Sequence, residues 1–563
     1  MKSIFLNSVI LILTGNFFTY SQDFQWATSF QGLYNSESTA ITLDNLGNVY
    51  TTGWFENSID FDPSPSSYTL NSSANRSVYI SKNDANGNLI WAVKIGDTGF
   101  NQGNSIFIDS NSNIYITGYF QNTADFNPSS TEVFNLTSSG VYDVFVLKLD
   151  SNGNFIWAKS FGGSSVDIGL DIAVDGSGVY LSGRYQGTID LDPDANTYNV
   201  TSNGSLDAFL VKLDTNGFFL WGHSFGSTGN ERAESVSLDT LGNVVVLFYY
   251  NETVDFDPSA SINNLSTIGG SDAAIVKFDT NGNLVWARSV GGTGTEEPSK
   301  LIIDSNDNVI ATGYFSNTAD FDPSASTFYL NATGSFSVFV LKLDVNGNYI
   351  WAKAIKSDVS CDAKGIEVDS NSNILINGLF SGTTDFNPDD ITTYNVTSNG
   401  SNDIFLTKLD ESGNFIWNIT VGGTGNDLAR GVVVNVANTD VYTTGAFLDT
   451  VDFNPSLNSY NISSLGLKDV FILKLSTAAL SISNFMGNKV IPYPNPVKNV
   501  LNIENFNDVE NITIYDVFGN EIYFENNISL GLNSIDFSNF QSGIYFMQLR
   551  MSLKKEIFKI IKE

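Results

Sequence analysis

The sequence predicts an all-β chain, and three observations carry that expectation. Seven tryptophans in one phase, Trp26, Trp91, Trp157, Trp221, Trp286, Trp351 and Trp417, follow one another at intervals of 65, 66, 64, 65, 65 and 66 residues. Each interval holds four short segments of alternating apolar character bounded by Asn, Asp and Gly, the pattern of strands joined by turns. No interval contains a helical period. Self-similarity at a fixed spacing of this size marks a repeat fold, and four strands per repeat predict a β-propeller with one blade per repeat.

In the second copy the four strands read "SIFID" (105–109), "IYITGYF" (114–120), "VFVLKLD" (144–150) and "FIWAKSF" (155–161). The connectors "DSNSN" and "DSNGN" are rich in Asn and Gly, which tolerate positive φ and suit tight hairpins. The third-strand motif begins at Val78, Val144, Ala208, Ala273, Val338, Ile404 and Val470. No tryptophan strand follows the last of these, and no third strand precedes Trp26. The two orphans complete each other, so the expected architecture is a seven-bladed β-propeller closed by pairing of its N- and C-terminal strands, with no open sheet edge.

The run "DSNSNIYITGYF" followed by "DVFVLKLDSNGNFIWAKSFGG" resembles the secreted bacterial β-propeller repeat family and, more loosely, the NHL type. The resemblance covers residues 24–476 and implies an architecture but no activity. Two copies drift, "VVVLFYY" (244–250) and "VNVANTDVY" (434–442).

In an up-and-down blade the first and third turns share one end, and here they are uniformly tight. The other end carries long polar loops, which makes it the expected binding face. Every long loop contains Asp-x-(Asp/Asn)-Pro, starting at Asp60, Asp125, Asp190, Asp255, Asp320, Asp385 and Asp452, and then a further alternating piece expected to form a short extra strand. Two oxygen-bearing side chains two residues apart could begin a calcium site, but no trailing bidentate Glu completes one. The favoured reading is structural: the Asp accepts local backbone bonds, the aromatic packs inward and the Pro ends pairing. "DSNGN" likewise explains itself as a turn, and its spacing differs from the Asp box of sialidases. The links "GGTGTE" (291), "GGTGND" (422) and "GSTGNE" (226) lack the Gly-Lys-Ser/Thr of a phosphate loop. A recurring acid, Asp167, Glu231, Glu296 or Asp427, is expected to place carboxylates on the long-loop face, where a suitably spaced pair could hydrolyse a glycoside.

Composition bounds the function. The chain has 563 residues, a formal charge of −33 and 13% aromatic residues. That is too aromatic for an acidic disordered chain, and no basic stripe is present for nucleic acid. The single Cys361 excludes an intrachain disulfide and is expected to be a small buried or loop residue. The single His223 makes a histidine zinc site or a Ser-His-Asp triad an unattractive reading, and it is expected to be a solvated strand-edge residue.

Residues 1–21 read as a secretory signal, with Lys2, an apolar run from Ile4 to Leu13, and Thr19 and Ser21 three and one residues before a cut between Ser21 and Gln22. No Cys follows the run, and no later stretch reaches the 18 apolar residues of a spanning helix, so no transmembrane segment is expected in the mature chain. The repeat (22–476) is followed by a linker (477–489), and from residue 490 several alternating segments predict a small Ig-like β-sandwich.

This tail resembles the type A C-terminal sorting domain of the type IX secretion system at Tyr493-Pro494-Asn495-Pro496, Ile514-Tyr515-Asp516 with Gly519, Ile535-Asp536, and Gly543-Ile544-Tyr545. The resemblance implies a sorting signal at these residues, recognition by the type IX machinery, and display on the outer-membrane surface of a Gram-negative bacterium or release outside it. Residues 490–563 hold nine acids and six bases, which leaves −31 on residues 22–489. The sequence thus describes an exported, non-enzymatic module for a glycan or protein ligand, with no cofactor. Its rivals are a polysaccharide hydrolase or lyase and a calcium-stiffened structural component.

Overall fold

A computed structural model describes residues 23–476 except 74, 438 and 457, and residues 492–563 except 506–508, 527, 529–530 and 552–554. The expected signal peptide, its cut at Ser21 and Gln22, and the linker lie outside the described residues. The chain separates into two compact units, one spanning Gln22–Thr477 and one containing the C-terminal segment. Every element among the described residues is a strand.

The larger unit holds seven four-stranded antiparallel sheets, formed by residues 36–95, 102–161, 168–225, 232–290, 296–355, 360–421, and 428–476 with 23–30. In the last of these, the N-terminal strand Asp23–Gly32 pairs with Asp469–Ser476, Ala27 opposite Leu473 and Phe30 opposite Val470. The alternation that predicts strands is the alternation that fills the spaces between sheets: Phe145, Leu147 and Leu149 pack with Ile114, Ile116 and Phe120 in one cluster, all fully buried.

The acidic turns are self-contained. Asp150 Oδ1 accepts Asn152 N at 2.8 Å and Asn154 N at 2.9 Å, while Oδ2 accepts Asn154 Nδ2 at 2.8 Å. Gly153 supplies the left-handed residue of this turn, with φ +81°. The same bonds recur at Asp84, Asp279, Asp344 and Asp410.

Five of the seven phased tryptophans, Trp26, Trp157, Trp221, Trp286 and Trp351, join one sheet to the next. Trp26 Nε1 donates to Ala85 O at 3.1 Å, Trp157 to Thr215 O at 3.3 Å, Trp286 to Val345 O at 3.2 Å and Trp351 to Glu411 O at 3.1 Å, in each case the third-to-fourth turn of the following sheet. An indole suits this place because it buries a large apolar face and keeps one donor for a carbonyl.

The long loops carry the expected short extra strands. Each contributes a two-stranded hairpin, such as Thr123–Asp125 with Asn135–Thr137. Several lie against the end of the preceding outer strand, with Gln31 opposite Asp60, Gly291 opposite Asp320 and Lys356 opposite Asp385. Gly292 follows from that approach, since a Cβ there would sit 2.1 Å from Thr318 O, and Gly291 from its own sheet, where a Cβ would sit 2.2 Å from the Asp272 carboxyl carbon.

The C-terminal unit has two antiparallel sheets. One holds Pro492–Tyr493, Val500–Asn505 and Gly531–Asp536, and the other Glu521–Asn526, Val509–Tyr515, Gly543–Met551 and Lys555–Lys562. Leu501, Ile503, Ile512, Ile514, Ile535, Met547, Leu549 and Ile560 form its core.

Candidate functional site

The Asp residues of the loop motif bond local backbone amides. Asp125 Oδ1 accepts Asn127 N at 3.0 Å and Phe134 N at 2.9 Å, and the same pair of bonds forms at Asp60, Asp190, Asp255, Asp320, Asp385 and Asp452. Phe61, Phe126, Leu191, Phe256, Phe321, Phe386 and Phe453 are fully buried behind them. Among the described residues no group of three or more His, Cys, Asp or Glu is arranged to hold a metal ion.

The recurring acids require a correction. Asp167, Glu231, Glu296 and Asp427 are not displayed on the long-loop face but are at most 1% exposed. They tie the sheet-to-sheet links: Asp167 accepts Gly163 N at 2.6 Å and Gln186 N at 3.3 Å, and Asp427 accepts Gly423 N at 2.8 Å and Leu448 N at 2.9 Å. Burial pushes Asp167 up to about 7 and Asp427 up to about 6. Glu296 rises to about 8, from burial first and then from Asp272, which itself rises to about 6. Those two carboxyls face each other, and Asp272 Oδ1 and Glu296 Oε1 are buried without a hydrogen-bond donor. Two acceptors can meet in this way when one holds a proton.

His223 also departs from expectation. It is half-buried, stacked at 5.0 Å on Trp221 and 6.4 Å on Phe278, and burial lowers its pKa, so it packs as a neutral ring. Cys361 is buried, with its thiol pKa raised.

Repeat symmetry fails at one place that the motif reading did not single out. In every first strand the register slips by one residue: between Ser38 and Ala40, Gly103 and Ser105, Gly169 and Asp171, Ala233 and Ser235, Pro298 and Lys300, Ala363 and Gly365, and Ala429 and Gly431. A β-bulge bends its strand and re-aims a side chain. The bulged residues are Thr39, Asn104, Leu170, Glu234, Ser299, Lys364 and Arg430, and all seven line one cavity of about 680 Å³. No two are the same residue type. The Gly of the Thr-Gly pair in the second strand answers the bulge, because a Cβ on Gly118 would lie 1.9 Å from Gln102 O.

Most charges in this cavity are paired. Asp171 takes Ser105 Oγ at 2.7 Å, Ser235 Oγ at 2.8 Å, Val236 N at 3.0 Å and Lys300 Nζ at 2.7 Å. Arg430 meets Glu37 at 2.6 Å, Lys364 meets Asp362 at 2.7 Å, and Arg232 bonds both Glu234 and Glu297. Glu367, raised to about 7 by burial, is partly offset by Lys300.

Aromatic residues stand beside the cavity at the long-loop end. The second-strand residues opposite Glu37, Gln102, Ile168, Arg232, Glu297 and Asp362 are Trp54, Tyr119, Arg184, Tyr249, Tyr314 and Leu379. Arg76 lies 3.7 Å over the Trp54 ring and Arg232 4.0 Å over Tyr249, while Tyr119 packs on Tyr142 at 4.8 Å and Tyr314 on Phe336 at 4.6 Å. A sequence signal existed in the non-repeating positions of an otherwise repeating strand.

In the C-terminal unit the motif residues occupy defined places. Asn495 donates to Lys559 O at 2.7 Å and accepts Ile561 N at 2.8 Å, docking Tyr493-Pro494-Asn495-Pro496 on the final strand, with both Xaa-Pro bonds cis. Tyr493 is exposed. Asp516 caps the turn after Tyr515 through Phe518 N and Asn520 N, each at 2.9 Å, and Gly519 has φ +83°. Tyr545 packs on Phe540 at 5.5 Å and donates to Gln541 O at 2.7 Å, and Gly543 opens its strand at the surface.

The chain is 25% identical over 506 residues to an uncharacterized WD repeat-containing protein of Acanthamoeba polyphaga mimivirus, covering 75% of this chain and 36% of that protein. It is 23% identical over 188 residues to the regulatory protein FlaEY of Caulobacter vibrioides, covering 32% and 19%. The chain therefore spans well under half the length of either curated relative. Among solved structures, the extracellular domain of a one-component system of B. thetaiotaomicron aligns over 95% of this chain and 98% of its own at 10% identity and a TM-score of 0.18. That of a hybrid two-component system from the same organism aligns over 93% and 72% at 12% identity and a TM-score of 0.17. Residues 491–563 match the family described as the secretion system C-terminal sorting domain. The C-terminal segment is thus a sorting domain of the type IX secretion system, recognised by that machinery, and it directs the protein to the cell surface or the extracellular space.

Proposed function

We propose that the larger unit is a closed seven-bladed β-propeller that acts, outside the cell, as a non-enzymatic binding module for a glycan or a protein, with the ligand at the mouth of the axial cavity. Ring closure is supported by the pairing of Asp23–Gly32 with Asp469–Ser476 and by the packing of Ser36–Leu43 against both Gln102–Ile108 and Leu428–Val434. The name of the mimivirus relative, a WD repeat protein, agrees with that architecture.

The observation that carries the binding reading is the break in symmetry. Turns, hairpins and tryptophan links repeat because each blade needs them, whereas the seven bulged positions carry seven different residues around one cavity. Ligand sites are concave and combine apolar walls with a few convergent polar groups, and the half-buried Tyr119, Tyr249 and Tyr314 lie at the same end of the sheets. Binding is favoured over hydrolysis because Glu37, Asp171, Glu234, Glu297 and Asp362 are each engaged by a cation, which among the described residues leaves Asp175 and Glu367 as the cavity carboxylates outside an ion pair. A hydrolase needs two carboxylates free to trade protons.

Native electrophoresis of the full chain through gels cast with different polysaccharides tests this. Retardation without clearing, reduced by Asn104→Ala or Lys364→Ala, is the expected result. A cleared zone in the gel would overturn the non-enzymatic reading.

A further inference from the structure

Cations are scarce in this protein, and their placement is uneven. Residues 22–489 carry −31 overall and contain five arginines, Arg76, Arg184, Arg232, Arg288 and Arg430. Four of them sit at one place in the fold. Arg430 is a bulged residue of the cavity, Arg232 and Arg184 flank it on the first and second strands, and Arg76 covers Trp54 at the same end. Three of the four are already neutralised, Arg76 by Glu56, Arg232 by Glu234 and Glu297, and Arg430 by Glu37.

Arg184 is different. It is half-buried, its Nε is shielded from solvent without a hydrogen-bond partner, and among the described residues it has no ion pair. Its charged surroundings are Arg232, Glu234, Tyr119 and Glu297, and both of those acids are engaged by Arg232. The corresponding position in four other sheets holds Trp54, Tyr119, Tyr249 or Tyr314, so Arg184 puts a half-buried cation where those sheets carry an aromatic ring. A partly buried cation whose neighbouring acids are already paired to another arginine is incompletely compensated, and a planar guanidinium matches a carboxylate or sulfate oxygen pair.

We propose that Arg184 anchors an anionic oxygen group on the ligand, making the preferred partner an acidic glycan whose sugar faces stack on the neighbouring rings while its carboxylate or sulfate meets Arg184. This rests on the binding reading above and narrows it. Elsewhere the strongly acidic surface repels such a polymer, so productive contact is confined to the cavity mouth.

The test uses the full chain with two matched pairs, polygalacturonate against its methyl ester and carrageenan against agarose, with affinity read by gel retardation. The expected result is at least tenfold tighter retention by one anionic polymer than by its neutral counterpart, lost in Arg184→Gln and partly kept in Arg184→Lys, with the melting temperature of both variants at or above that of the wild type. The pair that discriminates identifies carboxylate or sulfate. Equal retention of charged and neutral forms, or undiminished preference in Arg184→Gln, would overturn the anionic assignment and leave glycan binding standing. Retention by none of the four would overturn the assignment together with the glycan reading beneath it.

Discussion

Glu296→Gln should make this protein more stable at neutral pH and leave it unchanged in acid. Glu296 is fully buried, accepts Gly292 N at 2.9 Å and faces the Asp272 carboxyl. Its pKa stands at about 8 in the fold against 4.5 when unperturbed. A carboxyl whose folded pKa is raised binds its proton more tightly in the native state, so its contribution is fully present below 4.5 and is lost as pH climbs toward 8. Each unit in that window removes about 1.36 kcal/mol, which amounts to roughly 4 kcal/mol by pH 7.5. Glutamine keeps the acceptor for Gly292 and donates its amide to Asp272 without ionising. With an unfolding entropy of roughly 1 kcal/mol/K for a unit of this length, the variant should melt about 2–4 °C higher at pH 7.5 and level with the wild type near pH 4.5. Scanning calorimetry of both proteins from pH 4.5 to 8.5 measures this. A melting difference that stays constant across the range would refute the raised proton affinity of Glu296.

Gly118→Ala should destabilise by about 3 kcal/mol or more, because its Cβ would meet Gln102 O at 1.9 Å and must flatten the bulge; chemical denaturation checks it. Asp125→Ala, which strands the Asn127 and Phe134 amides, should cost roughly 1–2 kcal/mol and speed proteolysis within that loop alone. Chelation with EDTA should shift the melting temperature by no more than about 1 °C, since one oxygen of each loop Asp holds two backbone amides; a large fall would restore calcium as a structural component. Deleting residues 491–563 should leave the protein inside the outer membrane, as read by fractionation, and its appearance in the medium at the wild-type level would contradict the role of the sorting domain.

The sequence by itself determined what depends on short separations. Strand alternation, the Asp-to-Asn turn spanning four residues, the loop Asp that caps amides two and eight or nine residues on, and the sorting motif around Tyr493 are all local, so their chemistry is visible in a line of text. The matched orphan strands at the two ends were legible for a related reason: a repeat shows which partner is missing. Tertiary structure alone decided where the acids and cations ended up. Asp167, Glu231, Glu296 and Asp427 look like surface carboxylates in their loops, and only the adjoining sheet buries them and raises their affinity for protons. His223 looks exposed until Trp221 and Phe278 enclose it. Thr39, Asn104, Leu170, Glu234, Ser299, Lys364 and Arg430 lie some 65 residues apart and seem mere variation until seven bulges turn them into one cavity. Burial and convergence are properties of neighbours in space, and a chain specifies those neighbours only by folding.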